Sequence, residues 1–194
     1  MITVFQLIFS PFRAWEKINL AQRRVVWIFL FFLIPLLLFS VGVEGLSLWS
    51  WGERRSEFDY FVKVSQDLAV RYGATQAVML IISIFVWAKF LQWITHSFQV
   101  EGSYKQCFTL MVYGFSPVIL LRLLDVVPRI NTWACWAIGA LLSASVLYQG
   151  VGIILRPDQT KGFGLYMVSV IIVVLSSGLS HFVALSILHG KFLH

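Results

Sequence analysis

The sequence predicts an all-α integral membrane protein, with five transmembrane helices in one bundle and short amphipathic interfacial helices beside it. Three observations carry that prediction. Of the 194 residues, 59% are hydrophobic and only 12% are charged, against about a quarter charged in a soluble domain. Mean hydropathy is +0.82. The apolar residues also gather into runs of about 20, the length a helix needs to cross a hydrocarbon core of about 30 Å with every backbone group paired internally. This composition excludes a water-soluble enzyme, a nucleic-acid-binding domain and a disordered tail. The net charge of +6 comes without a basic stripe of interleaved aromatics, so no nucleic-acid partner is expected. In a membrane protein such an excess marks cytoplasmic flanks and anionic lipid.

The elements follow in order along a single membrane domain over residues 1–194. Ile2 to Leu20 is amphipathic and does not read as a signal peptide, because no short basic region precedes an apolar stretch. Ser10 as N-cap and Pro11 at the first helical position start a helix over about residues 11–20. Phe12, Trp15 and Ile18 share one face and Arg13, Glu16 and Lys17 the other, the pattern of a helix floating at the cytoplasmic interface. The first span, about residues 25–43, is uncharged. In the long loop that follows, Phe61, Val62, Ser65, Leu68, Ala69 and Tyr72 recur at helical spacing, together with Phe58. They predict an amphipathic helix over about 57–72 on the outer side, lying on the interface or continuing into the second span.

The second span, about 75–95, carries Lys89, whose stem is expected to snorkel inward. The third, about 107–127, holds Pro117 near its middle, which should kink the helix and free a backbone carbonyl. Arg122 stands towards its end and is expected to snorkel outward, with Asp125 as its partner one turn on. The fourth and fifth spans, about 133–155 and 164–188, contain no permanent charge. Short connections make neighbouring spans antiparallel. No internal repeat suggests an inverted-repeat transporter. Arg23 and Arg24 abut the first span and acidic residues dilute the long loop, which favours an inner N-terminus and an outer C-terminus. That topology puts Cys107 and Cys135 at opposite ends, beyond the roughly 7 Å reach of a disulfide, so both read as packing residues.

No catalytic signature is visible. HExxH, a Walker loop, a GxSxG elbow and paired carboxylates within a span are all missing. Gly150-Val151-Gly152 has Leu155 where a dinucleotide fingerprint needs its third glycine. The four histidines, His96, His181, His189 and His194, have no ligand spacing. No catalytic residue, cofactor or metal is therefore expected. No Asp or Glu falls in the interior of a predicted span, Glu44 and Asp125 standing at outer ends, which argues against a proton-coupled transporter. Glu44, Arg122, Asp125 and Arg129 gather at the outer ends as a structural tie. Pro117, Gln149 and His181 are candidates for a polar cleft between spans three, four and five, the basis of an alternative reading as a small channel or transporter. Gly139 with Ser143, and Ser176 with Ser180 and Ala184, form small-residue faces suited to close helix packing.

Four stretches then carry a resemblance. They are Pro11-Phe12 with Trp15 and Ile18; Gly102-Ser103-Tyr104-Lys105-Gln106 leading into Tyr113-Gly114-Phe115-Ser116-Pro117; Leu147-Tyr148-Gln149-Gly150-Val151; and Pro157 with Lys161-Gly162-Phe163-Gly164. In order and spacing the chain resembles the Yip-one domain family, the Ypt/Rab-interacting membrane proteins, in its short bacterial form. The resemblance implies a five-span bundle with a cytoplasmic N-terminus. For eukaryotic relatives it also implies Rab GTPase binding and vesicle trafficking. This chain departs from those relatives in lacking their long hydrophilic N-terminal region. Gly114-Phe115-Ser116-Pro117 also matches their aspartate-leucine-tyrosine-glycine-proline stretch only in glycine and proline, so GTPase binding is not carried over. The expected function is a non-enzymatic membrane component that binds proteins or organises lipid. Its cytoplasmic contacts would come from Phe12 and Trp15, from Gly102, Tyr104 and Lys105, and from Arg156 and Lys161. The expected partners are the bilayer, other membrane proteins and a second copy of the chain. The expected location is the bacterial inner membrane, or an endomembrane in a eukaryote.

Overall fold

A helix that is apolar on every side has no face to offer water and belongs in the middle of a bundle. The third apolar run is such a helix. In the computed structural model, which describes residues 2–55, 60–127 and 130–188, it spans Tyr104–Leu121 and continues as a 3-10 turn over Arg122–Val126. Every side chain from Cys107 to Leu120 is buried. In its most apolar stretch 83% of residues are buried, against 22% to 44% in the other spans, and this difference identifies the central helix. Around it stand the first span Val25–Trp51, the second Gln66–Ser97, the fourth Thr132–Ile154 and the fifth Gln159–Leu188. The fourth packs on the third and fifth, and the second on the first, third and fifth. Exposed Ile171, Leu175, Leu179 and Phe182 mark one outward stripe of the fifth span at three- and four-residue spacing, as a lipid-facing surface requires.

Two helices precede the spans, α1 over Ile2–Phe9 and α2 over Pro11–Ala21. Ser10 holds the N-cap position of α2 with Pro11 behind it, but its hydroxyl makes no capping bond. The pair does not float. Val4, Leu7, Ala14 and Trp15 are buried in the main core, and α2 packs on the fourth span. Both helices define what is called below the N-terminal end of the bundle; the opposite end is the far end.

The first span runs on to Trp51, so Glu44 stands two turns inside a spanning helix and not at its edge. Its π-helical turn, Phe29–Leu33, lies just ahead of Pro35. Proline has no N–H for the carbonyl four residues back and its ring crowds that carbonyl, so a widened turn relieves both problems. In the third span the same difficulty is solved by a side chain. Pro117 leaves the Tyr113 carbonyl without its helical donor, and the Ser116 hydroxyl donates to that oxygen at 2.7 Å. The helix therefore continues through Pro117 to Leu121.

The helix expected over 57–72 begins only at Gln66, where the Ser65 hydroxyl accepts from the Leu68 amide at 3.3 Å. It then runs unbroken into the second span. Ahead of it, Tyr60–Val62 pairs antiparallel with Glu53–Arg55, because aromatic and β-branched residues side by side suit a strand. Phe58 lies outside the described residues. Lys89 is exposed and its ammonium donates to Gln92 Oε1 at 3.0 Å. Cys107 and Cys135 are both buried, near opposite ends of adjacent antiparallel helices.

Spans three and four approach closely at Gly139, where a Cβ would lie 3.0 Å from Val118 Cα and 3.3 Å from Leu121 Cβ. Backbone cannot yield as a flexible side chain can. Gly139→Leu should therefore cost at least the roughly 1–3 kcal/mol of an overpacked core. Ser180→Leu, at a fully buried position, should do the same. Unchanged yield and an unchanged unfolding midpoint in detergent would refute the close packing.

Candidate functional site

Polar groups converge at each end of the bundle. At the N-terminal end the third span starts with a capping box. The Gln106 amide donates to the Ser103 hydroxyl at 3.3 Å, and Ser103 N–H donates to Gln106 Oε1 at 2.9 Å. Two side chains of that first turn reach further. Gln106 Nε2 donates to the Ile154 carbonyl at 3.1 Å, satisfying the frayed end of the fourth span, and Lys105 Nζ donates to Gln22 Oε1 at 2.9 Å at the end of α2. One short sequence thus ties together three elements distant along the chain.

The glycines of this region mark where helices touch. A Cβ on Gly114 would lie 2.6 Å from Leu147 Cδ2, one on Gly102 2.6 Å from Thr95 Oγ1, and one on Gly164 2.7 Å from Phe98 Cε1. Gly150 lies under the Trp15 ring, at 2.6 Å for a Cβ. The Trp15 indole N–H donates to the Val146 carbonyl at 2.8 Å, and its ring meets Tyr113 edge-on at 5.9 Å. Motifs scattered over the sequence are therefore the packing surfaces of one another. Between α1, α2 and the adjoining ends of the spans they leave a cavity of about 190 Å³.

The residues singled out as cytoplasmic contacts fall into two groups. Phe12 is exposed on α2 and Arg156 is exposed just past the fourth span. Arg156 takes a left-handed conformation (φ 47°), the usual way to end a helix. Tyr104 and Lys105 are half-buried, with Tyr104 against Phe108 at 6.1 Å. Lys161 is half-buried and pairs with Asp158 at 3.7 Å. Trp15 and Gly102, by contrast, are buried. The helical face shared by Phe12 and Trp15 is split, because Trp15 turns into the bundle to place its indole N–H on a carbonyl.

At the far end an ionic cluster is enclosed by four spans. Glu44 is 5% exposed, Arg122 4% and His181 1%. Arg122 Nη2 lies 3.6 Å from Glu44 Oε1. Tyr72 donates its hydroxyl to the same oxygen at 2.5 Å, and Gln76 Nε2 donates to Glu44 Oε2 at 3.3 Å. Arg122 Nη2 also donates to His181 Nδ1 at 2.6 Å. Since a guanidinium cannot accept, Nδ1 is the accepting nitrogen, which leaves the proton of the neutral ring on Nε2. Trp133 stands edge-on to that ring at 4.8 Å. A buried carboxylate is tolerated only when paired and hydrogen-bonded, and here the second and third spans supply the partners. Arg122 thus turns inward instead of snorkelling. Glu44 and Arg122 were legible as a cluster; Tyr72, Gln76 and His181 were not. The Asp125 side chain and Arg129 lie outside the described residues.

Pro117, Gln149 and His181 do not line one cleft. Trp133, which touches His181, begins the fourth span, and Gln149 lies 16 residues further along it, about 24 Å away at 1.5 Å per residue. Pro117 is packed in the central helix. The serines nearby are handled locally. Ser169, Ser176 and Ser186 return their hydroxyls to carbonyls one turn back in their own helix, and Trp136 Nε1 donates to Ser177 Oγ at 3.1 Å. Among the described residues no group of three or more His, Cys, Asp or Glu could hold a metal ion.

Comparison with curated proteins and with solved structures finds no match. The Yip1 domain, by contrast, matches residues 5–180. That range runs from α1 into the fifth span and takes in every glycine contact described above, and the chain belongs to the Yip1 domain family.

Proposed function

We propose that this Yip1-family membrane protein is a non-enzymatic component that organises lipid and engages other membrane proteins through its N-terminal end, which we assign to the cytoplasmic side. One observation carries the reading. The α1–α2 pair, riveted to the bundle by Trp15, leaves Phe5, Phe9, Phe12 and Leu20 exposed, Phe9 and Leu20 at 80% and 82%, with Arg13 and Lys17 exposed among them. Apolar and basic side chains mixed on a short helix suit the headgroup boundary of an anionic leaflet. Arg23 and Arg24, beside the first span, support the cytoplasmic assignment. The same reading places the protein in a cell membrane, the inner one in a bacterium.

Photo-crosslinkers at Phe12 and Arg156, used in native membranes, should give adducts with lipid or with a membrane protein. A crosslinker at buried Val112 serves as the control and should give none. Adduct yields at positions 12 and 156 no higher than at 112 would remove the basis of this reading.

A further inference from the structure

The cavity at the N-terminal end carries charge that the packing around it does not use. Among the described residues its walls include Lys17, Arg23 and Lys105 and no carboxylate. The partners recorded for two of these cations are neutral. Lys105 donates to an amide oxygen, Gln22 Oε1, at 2.9 Å, and the Arg23 guanidinium lies 3.7 Å above the Trp27 ring. Three cationic side chains therefore line one hollow with no carboxylate in its walls, an arrangement that favours an anion.

A second observation is independent of charge. Tyr113 is only 3% exposed yet lines the cavity, so a largely enclosed phenol forms part of its wall. A phenol O–H at that wall can donate to an acceptor oxygen in the cavity. Thr109 and Gln6 add further polar groups to the walls. Size narrows the class of ligand. About 190 Å³ is several times the roughly 30 Å³ share of a water molecule and less than the roughly 300 Å³ at which sites for larger organic ligands begin. A tetrahedral oxyanion with part of what it is attached to fits that interval. Lysine and arginine are the side chains that bind phosphate oxygens by charge-assisted hydrogen bonds.

We propose that this cavity binds a phosphate group, presented by a phospholipid headgroup of the adjoining leaflet or by a soluble phosphate, with Lys17, Arg23 and Lys105 neutralising it and Tyr113 donating to one of its oxygens. The site stands on its own geometry. Crosslinking at positions 12 and 156 can fail while phosphate still binds, and the reverse also holds.

The test uses the full chain in a zwitterionic detergent, titrated in parallel with sodium phosphate and with dihexanoyl phosphatidylglycerol, with sodium chloride at matched ionic strength as control. A saturable rise in unfolding midpoint with phosphate identifies a soluble ligand. A rise with the phosphatidylglycerol alone identifies the headgroup. Lys17→Gln/Arg23→Gln should weaken binding at least tenfold, since loss of one charge-assisted bond is worth about that factor. Tyr113→Phe should weaken it severalfold. Lys17 and Arg23 are exposed, so the double variant should keep the ligand-free midpoint of the parent. No saturable rise with either probe, or undiminished binding by the double variant, would overturn the proposal.

Discussion

Arg122→Ala should destabilise the bundle by about 3–5 kcal/mol, the cost of leaving one member of a buried ion pair alone. Glu44 would remain enclosed with Tyr72 at 2.5 Å and Gln76 at 3.3 Å, neither of which carries a compensating charge. His181 Nδ1 would lose its donor as well. The diagnostic result is the double variant. Glu44→Gln/Arg122→Leu removes both charges, keeps an amide for Tyr72 and Gln76, and should recover most of the loss, because a neutral packed replacement for a buried pair is often nearly neutral in stability. Chemical or thermal unfolding in detergent, with the single and double variants compared as a cycle, separates these outcomes. A single variant within 1 kcal/mol of the parent, or a double variant as unstable as Arg122→Ala, would show that the pair is not what holds the far end together.

Trp15→Ala should have an effect of similar size at the other end, about 3–5 kcal/mol for emptying a large buried aromatic site. The ring fills the gap over Gly150, touches Tyr113 and donates to the Val146 carbonyl. Its loss should be local in consequence, however. The central helix is buried along its length by four other spans, so the bundle should survive while α1 and α2 come away. Hydrogen exchange should accelerate over residues 2–21 and remain slow over 107–120. Trp15→Phe keeps most of the volume and drops the indole donor, and should cost about 1 kcal/mol. Equal loss of protection in both regions would show that the helix pair and the spans form one cooperative unit. It would also contradict the reading of Trp15 as the rivet of a separate surface layer.

The five spans were legible because the bilayer requirement is local. Each apolar run must satisfy its own backbone, and a window of residues is enough to see it. The limit of that reading is clearest at Glu44. A hydropathy scan stops at a carboxylate, yet the helix continues to Trp51, because Arg122, Tyr72 and Gln76 make burial of the charge tolerable. With Glu44 inside a spanning helix, the absence of carboxylates from the spans no longer counts against ion-coupled chemistry. The enclosure of that carboxylate by its partners supports a structural role. The family stretches were likewise visible as order and spacing, but their purpose was not. Gly114 and Leu147, or Gly150 and Trp15, are joined only when the helices are set side by side.

The sequence by itself determined the class, the number of spans and the segments at which the chain reverses, since these depend on apolar run length and on local capping such as Ser103 with Gln106. Tertiary structure alone decided which polar groups are buried and with whom. Tyr72 lies 28 residues from Glu44, Arg122 59 from His181 and Trp15 131 from the Val146 carbonyl. The reason is energetic. A charge or an indole N–H inside a bundle is stable only if a specific partner meets it there, and helical spacing within one segment holds no information about a partner on another helix.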